Sequence, residues 1–278
     1  MLKLAFNSAL WTPTKADWIL AGRLIQVEER KRIAEYCFKN DAKLCLAARL
    51  LLRYAVVKCS TLKWNEFNLT RSTKGKPWLD SQYLKKGMLY FNASHQGDYA
   101  VVVADCNANV GVDIMDTRET HGDVNDFFAL MDRHFTVEEW STICNCANDK
   151  EQMNSFYRHW CLKESFVKAI GDGLSYSLQS LNFRVKSQLT KTLPVTDTLL
   201  YTNGELNSDW SFEEVMLDPN HCVAVAKNTT NTSVNCGCFK CLTFQEVSSI
   251  SACLELDECV DEQFLLSYNN PFKIRLPS

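Results

Sequence analysis

Trp160-Cys161-Leu162-Lys163-Glu164-Ser165-Phe166-Val167-Lys168 sets a carboxylate and an amine one helical turn apart in apolar surroundings. At 100° per residue, Met153, Tyr157, Trp160, Glu164, Val167, Lys168 and Gly171 share one side of a helix. Leu162, Phe166, Ala169 and Ile170 form a second apolar side. A carboxylate in such a row is costly unless it is paired. Its partner is either Lys168, at the common i,i+4 spacing, or a metal or phosphate supplied from elsewhere. A second acid stands in Val110-Gly111-Val112-Asp113-Ile114-Met115. With a period of two, Val110, Val112 and Ile114 fall on one strand face and Gly111, Asp113 and Met115 on the other. Taken singly, Asp113 is a satisfied strand aspartate and Glu164 half of a helical ion pair. Taken together, two oxygen donors from separate elements suit Mg²⁺, leaving room in its shell for phosphate and water. The chain also offers cations for a multiply phosphorylated ligand: Arg32, Arg71, Lys74, Lys76, His95 and Lys168. In the turn Arg71-Ser72-Thr73-Lys74-Gly75-Lys76-Pro77, the glycine permits close backbone approach to a phosphate. The chemistry these residues predict is a magnesium-dependent phosphoryl-type transfer on a pyrophosphate compound.

The elements that must carry them are legible in outline. Residues 1–10 read as a first strand. Thr14 and Asp17 have capping-box spacing, and Asp41 is placed to cap a long helix from 42 to about 58. Two strands, 89–93 and 98–104, are expected to join at Ser94-His95-Gln96-Gly97. The second half begins with the strand 110–115. Helices follow at 124–131 and 136–144, then a long one from about 152 to 170, closed by Gly171. A strand is expected at 181–185. Asn203-Gly204 signals a hairpin, and strands at 210–213 and 221–226 end the sheet. Long helix then sheet, twice over, predicts an α+β fold of two similar halves, 1–107 and 108–228. Residues 229–278 form a C-terminal tail, part of which Phe264, Leu265, Leu266, Tyr268 and Phe272 would let pack back.

Composition limits the partners. The 278 residues carry a net charge of −3, so any basic site is local. Nucleic-acid binding through the 71–76 turn is disfavoured, because no broader basic face accompanies it. No apolar run approaches the ~18 residues of a membrane span, and the first residues lack the pattern of a cleaved leader. Thirteen cysteines without a leader predict free thiols in a reducing, cytoplasmic compartment. Cys236, Cys238 and Cys241 match no common four-ligand zinc spacing.

The order of these motifs resembles the 4′-phosphopantetheinyl transferase superfamily: the turn 71–77, then Asn92-Ala93-Ser94-His95, then Gly111-Val112-Asp113, then Trp160-x-x-Lys163-Glu164-x-x-x-Lys168. The resemblance covers about residues 1–227 and is closest to the animal branch. It implies two halves about a pseudo-two-fold axis with coenzyme A in the cleft between them. It also implies transfer of the phosphopantetheine arm to a serine of an acyl or peptidyl carrier domain by a largely monomeric enzyme. By the same resemblance, Asp113 and Glu164 bind Mg²⁺ with the pyrophosphate. Arg32, Arg71, Ser72, Thr73, Lys74, Gly75, Lys76 and Asn92, Ala93, Ser94, His95 hold the nucleotide and its phosphates. Glu164 takes the serine proton, directly or by way of a water on the metal, and Lys168 stabilises the leaving adenosine 3′,5′-bisphosphate. Many bacterial relatives carry a second acid where this chain has Met115. The alternative from another class is a coenzyme A-binding module that acts through protein contacts.

Overall fold

The computed structural model describes residues 1–84, 88–119, 121–171, 173, 176–191, 193–229, 237–254 and 264–268. The first half runs β1 (Leu2–Asn7), α1 (Lys15–Arg23), α2 (Val27–Ala34), α3 (Lys39–Cys59), β2 (Leu69–Arg71), β3 (Pro77–Leu79), β4 (Tyr90–Gln96) and β5 (Tyr99–Asp105). The second runs β6 (Val110–Asp116), α4 (Val124–Met131), α5 (Val137–Cys144), α6 (Asp149–Ile170), β7 (Leu181–Arg184), β8 (Leu199–Thr202), β9 (Glu205–Leu206), β10 (Trp210–Asp218) and β11 (His221–Asn228). After them come β12 (Lys240–Cys241) and α7 (Phe244–Ser248). The mixed α+β class is as expected.

Local chemistry explains most boundaries. Thr14 and Asp17 form the predicted capping box of α1. Asn203 (φ 52°) and Gly204 (φ 86°) turn the β8–β9 hairpin in the left-handed region. Asn148 caps α6 by accepting from the Glu151 amide, and Gly171, at φ 78°, ends it. Two expectations need correction. The N-cap of α3 is Phe38 without a side-chain cap, so Asp41 lies in the first turn, where its charge still complements the helix dipole. And Ser94 and His95 are not at a strand junction: β4 continues to Gln96, and the turn is made at Gly97, whose φ is 58°. A Cβ there would lie 2.4 Å from both Asp116 Oδ2 and His221 Nε2, so the glycine is needed for the turn and for the close approach.

The main sheets share one strand order. The first is β12-β1-β5-β4, the second β10-β11-β6. In each, the strand preceding the long helix flanks the last strand of the following hairpin. Helix α3 packs on β5 and β1 in one core that includes Leu46, Leu50, Val102 and Phe6. Helix α6 packs on β6 and β11 in a second, with Leu162, Phe166 and Ala224. A third core is valine-rich: Val101 and Val103 from β5 meet Val110, Val112 and Ile114 from β6 and Val223 and Val225 from β11. This is the face of β6 that its alternation predicts, and the other face is left for α6 and the site.

Edge strands β4 and β6 are joined by side chains. Asn92 Oδ1 accepts from the Val112 amide at 3.2 Å, and Gln96 Oε1 from the Asp116 amide at 2.9 Å. Residues 92, 94 and 96 of a strand point the same way, so Ser94 is the middle rung of this ladder. The described residues 237–254 and 264–268 pack back onto the first core. Strand β12 pairs in parallel with β1, Leu242, Phe244 and Val247 enter that core, and Phe264 stacks on Trp18 at 5.3 Å between centroids. Leu266 is exposed, and Phe272 lies outside the described residues.

Candidate active site

Gly111 brings the carboxylates together. A Cβ on it would stand 2.1 Å from the Ser165 carbonyl oxygen and 2.4 Å from the Ala169 nitrogen. Only glycine lets α6 lie this close on β6. Two residues on, on the same strand face, Asp113 then meets the helix face that carries Glu164 and Lys168. The amine of Lys168 reaches Asp113 Oδ1 at 2.6 Å and Ser94 Oγ at 2.9 Å, and Ser94 Oγ donates to the same Oδ1 at 2.8 Å. Asp113 Oδ2 is buried without a hydrogen-bond partner among the described residues. The pairing of Glu164 with Lys168 is not formed, because Asp113 and Ser94 hold the amine. Glu164 itself makes no hydrogen bond or ion pair among the described residues. Burial, then the Asp113 charge, push the Glu164 carboxyl above its ordinary range, against the pull of Lys168. Burial lowers the Lys168 amine, but Asp113 and then Glu164 outweigh it and hold its pKa above the usual lysine value.

A cavity of about 420 Å³ opens over this group. The turn contributes Arg71, Lys74, Gly75 and Lys76; β4 contributes Asn92, Ala93, Ser94 and His95; α6 contributes Glu164, Val167 and Lys168. Helix α3 adds Arg49, which lies in none of the sequence motifs. Asp113 does not line the cavity; it lies behind Ser94 and Lys168. Ser72 and Thr73 also stand outside it. Ser72 instead closes the turn, its amide donating to the Lys76 carbonyl at 2.9 Å and its hydroxyl accepting from the Lys76 amide at 3.1 Å. Arg32 lies in an adjoining cavity of about 360 Å³, which shares Arg49 and Arg71 with the first.

Two of the expected cations differ from expectation. His95 is pushed down to about 4 by burial and by the charges of Arg49 and Lys168, so at neutral pH it is an uncharged hydrogen-bonding group. Lys76 donates to the Ala169 carbonyl at 2.7 Å and to Asn109 Oδ1 at 3.3 Å, and burial lowers it to about 8. It straps the turn to the last turn of α6. Glu29 is a residue the motifs do not reveal. Arg71 grips it through Nε at 3.0 Å and Nη2 at 2.8 Å, and Arg49 lies 2.9 Å from it. Within the motif of α6, Lys163 faces away from the cavity. It is fully buried against Glu139 at 2.8 Å and donates to the Leu178 and Leu181 carbonyls.

Among the described residues no group of three or more His, Cys, Asp or Glu is placed to hold a metal ion. The two carboxylates nevertheless fit a hard cation whose remaining ligands come from a phosphorylated substrate: both offer oxygen, and one buried oxygen is unpartnered. Cys238 and Cys241 are exposed free thiols, and Cys236 lies outside the described residues.

Residues 9–107 match the family model described as 4′-phosphopantetheinyl transferase, N-terminal, and residues 109–226 that of the 4′-phosphopantetheinyl transferase superfamily. The chain is 43% identical over 229 residues to the L-aminoadipate-semialdehyde dehydrogenase-phosphopantetheinyl transferase of Mus musculus, covering 81% of this chain and 74% of the relative. It is 42% identical over 228 residues, with the same coverage, to the Homo sapiens protein of that name. To a phosphopantetheinyl transferase of Thraustochytrium sp. it is 32% identical over 228 residues, 80% of this chain and 76% of the relative. Both matched segments contain the cavity-forming motifs, and with identity at this level the chain belongs to the 4′-phosphopantetheinyl transferase superfamily, a family of transferases.

Proposed function

We propose that this protein transfers the 4′-phosphopantetheine arm of coenzyme A to a serine of acyl or peptidyl carrier domains, leaving adenosine 3′,5′-bisphosphate, and that Mg²⁺ is required. The observation that carries the reading is a cavity lined by Glu164 and by Lys168, which is paired to Asp113 behind it, and walled by Arg49, Arg71 and Lys76. Asp113 and Glu164 would hold Mg²⁺, which when bound would neutralise pyrophosphate charge. Arg49, Arg71 and the 71–76 turn would bind the ligand's phosphates, and His95 would offer a neutral hydrogen bond to them. The carrier serine hydroxyl attacks the phosphorus that bears the pantetheine. A new serine oxygen–phosphorus bond forms, the bridging oxygen–phosphorus bond breaks, and the bridging oxygen leaves on the nucleotide. Glu164, which lines the cavity and makes no hydrogen bond or ion pair among the described residues, accepts the serine proton. Lys168 is placed to neutralise the charge growing on the nucleotide. Shared strand order in the two main sheets supports halves related by a pseudo-two-fold axis, with the cavity between them. The eleven free cysteines of the described residues fit a reducing compartment.

Chromatography of a reaction containing apo carrier, coenzyme A and Mg²⁺ tests this. Adenosine 3′,5′-bisphosphate should accumulate one for one with modified carrier, and only with the metal. Intact coenzyme A that binds tightly but is never cleaved would favour the binding-module reading.

A further inference from the structure

Three guanidiniums converge on one carboxylate beside the cavity. Arg71 donates to Glu29 through Nε at 3.0 Å and through Nη2 at 2.8 Å to each oxygen, while its Nη1 donates to the Gly75 carbonyl at 3.2 Å. Arg49 Nε lies 2.9 Å from Glu29 Oε2, and Arg32, one turn along α2, lies 3.6 Å from Oε1. The side chain of Glu29 is 14% exposed and those of Arg49 and Arg71 16% and 23%, against 52% for Arg32. Glu29 lines the adjoining cavity, and Arg49 and Arg71, which it touches, are the cations common to both cavities.

An anion-binding site gains little from an acid as such, since the acid repels the ligand. Its use here is geometric. Unrestrained guanidiniums this close repel one another and turn toward water, and long arginine side chains lose rotamer freedom when a ligand must order them. Glu29 removes both costs beforehand. Arg71 spends four of its five N–H donors in these bonds, which leaves one on Nη1 for a ligand, and Arg49 is approached at Nε by charge rather than by an aligned hydrogen bond, which leaves its terminal amino groups. One carboxylate among three guanidiniums leaves the cluster cationic.

We propose that Glu29 is a positioning residue for coenzyme A: acting through Arg49 and Arg71, it sets the two shared guanidiniums in the orientation that receives the ligand's phosphates. This rests on the coenzyme A reading above. The test is calorimetric titration of coenzyme A, with steady-state kinetics, into the intact protein, Glu29→Gln, Arg49→Ala/Arg71→Ala, and the three changes combined. Glu29→Gln should weaken binding and raise KM by roughly tenfold or more, as expected when contact groups are misaligned, with kcat within about threefold. In the Arg49→Ala/Arg71→Ala background the same change should have no further effect on binding. An equal loss in both backgrounds would make Glu29 a general structural residue and overturn the proposal; so would tighter binding by Glu29→Gln, which would show the acid only opposing the anion. Should Glu29→Gln fail to fold, Glu29→Asp keeps the charge but shortens the reach, and the same rise in KM with unchanged kcat is expected; unchanged KM would overturn the proposal. If the unmodified protein does not bind coenzyme A at all, the underlying reading fails and this proposal falls with it.

Discussion

Asp113 and Glu164 share a problem that only a third party solves. One has a buried oxygen without a partner, the other a carboxyl raised by burial and by its neighbour. Lys168 satisfies half of the pair and is committed to Asp113. Asp113→Asn and Glu164→Gln should therefore each lower transfer at least ~100-fold, the scale of losing a central electrostatic contact. Near-normal initial rates at saturating Mg²⁺ in either variant would count against the site. Lys168→Ala should depress kcat more than coenzyme A affinity, and the reverse pattern would make it a binding residue. The types of these residues were legible because a carboxylate in an apolar helical row asks for a partner. Their actual partners were not. Helical spacing offered Lys168 to Glu164, whereas the amine bends to Ser94 and Asp113, on strands distant in sequence. His95 was read as a cation from its residue type, and its burial, then the positions of Arg49 and Lys168, hold it neutral. Glu29 was invisible for the same reason: its meaning lies in three arginines from three elements.

At the scale of the element, the two motif helices and strands act through contacts that residue type alone does not display. Gly111 is one. Gly111→Ala would drive a methyl into the backbone of α6, so it should cost about 1–3 kcal/mol or more as α6 shifts. Activity should fall with it, as Asp113 moves from Glu164. Urea denaturation with a parallel activity assay checks this, and an unaltered midpoint would refute the close-approach argument. Lys163 is another. Its ammonium and Glu139 are both fully buried, so Lys163→Met leaves an unpaired buried carboxylate and should cost about 3–5 kcal/mol, while adding Glu139→Gln, which removes the charge and keeps an oxygen to accept from the Phe183 amide, should recover much of it. Additive losses would contradict that. Alternation and glycine signals located most helices and strands and showed the two faces of β6 correctly, but β10 runs on to Asp218 and α6 starts at Asp149, earlier than about 152. Asp41 failed as a cap because α3 starts earlier, at Lys39, and β4 ran on past Ala93 because its polar residues at 92, 94 and 96 bond to β6 rather than to solvent. Polar alternation in an edge strand reads as loop until its partner is known.

Over the whole molecule, stability depends on histidines and on the last segment. His159 is fully buried, its ring bonded to the Ser155 carbonyl, and burial lowers it to about 4, as His95 is lowered. A histidine with a folded pKa below its ordinary ~6.5 contributes stability that is complete above pH ~6.5 and lost as pH falls toward 4. For His159 this is on the order of 3 kcal/mol. The melting temperature should drop across that window, and His159→Gln should flatten the drop; an unchanged profile would contradict its neutral burial. Truncation after 228 removes Leu242, Phe244, Val247 and Phe264 from the first core. At ~1.5–3 kcal/mol per buried side chain, that approaches the 5–15 kcal/mol of a typical domain, so the shortened chain should melt far lower or fail to fold. The polar composition after 228 read as a tail, because scattered apolar residues show no period until Trp18 and β1 receive them.

Transfer itself is read out by mass spectrometry of a purified apo carrier protein incubated with this protein, coenzyme A and Mg²⁺. The carrier should gain the mass of one phosphopantetheine on a single serine, and the gain should vanish with chelator or with Glu164→Gln. No gain on any of several unrelated carriers, despite measurable coenzyme A binding, would contradict the account.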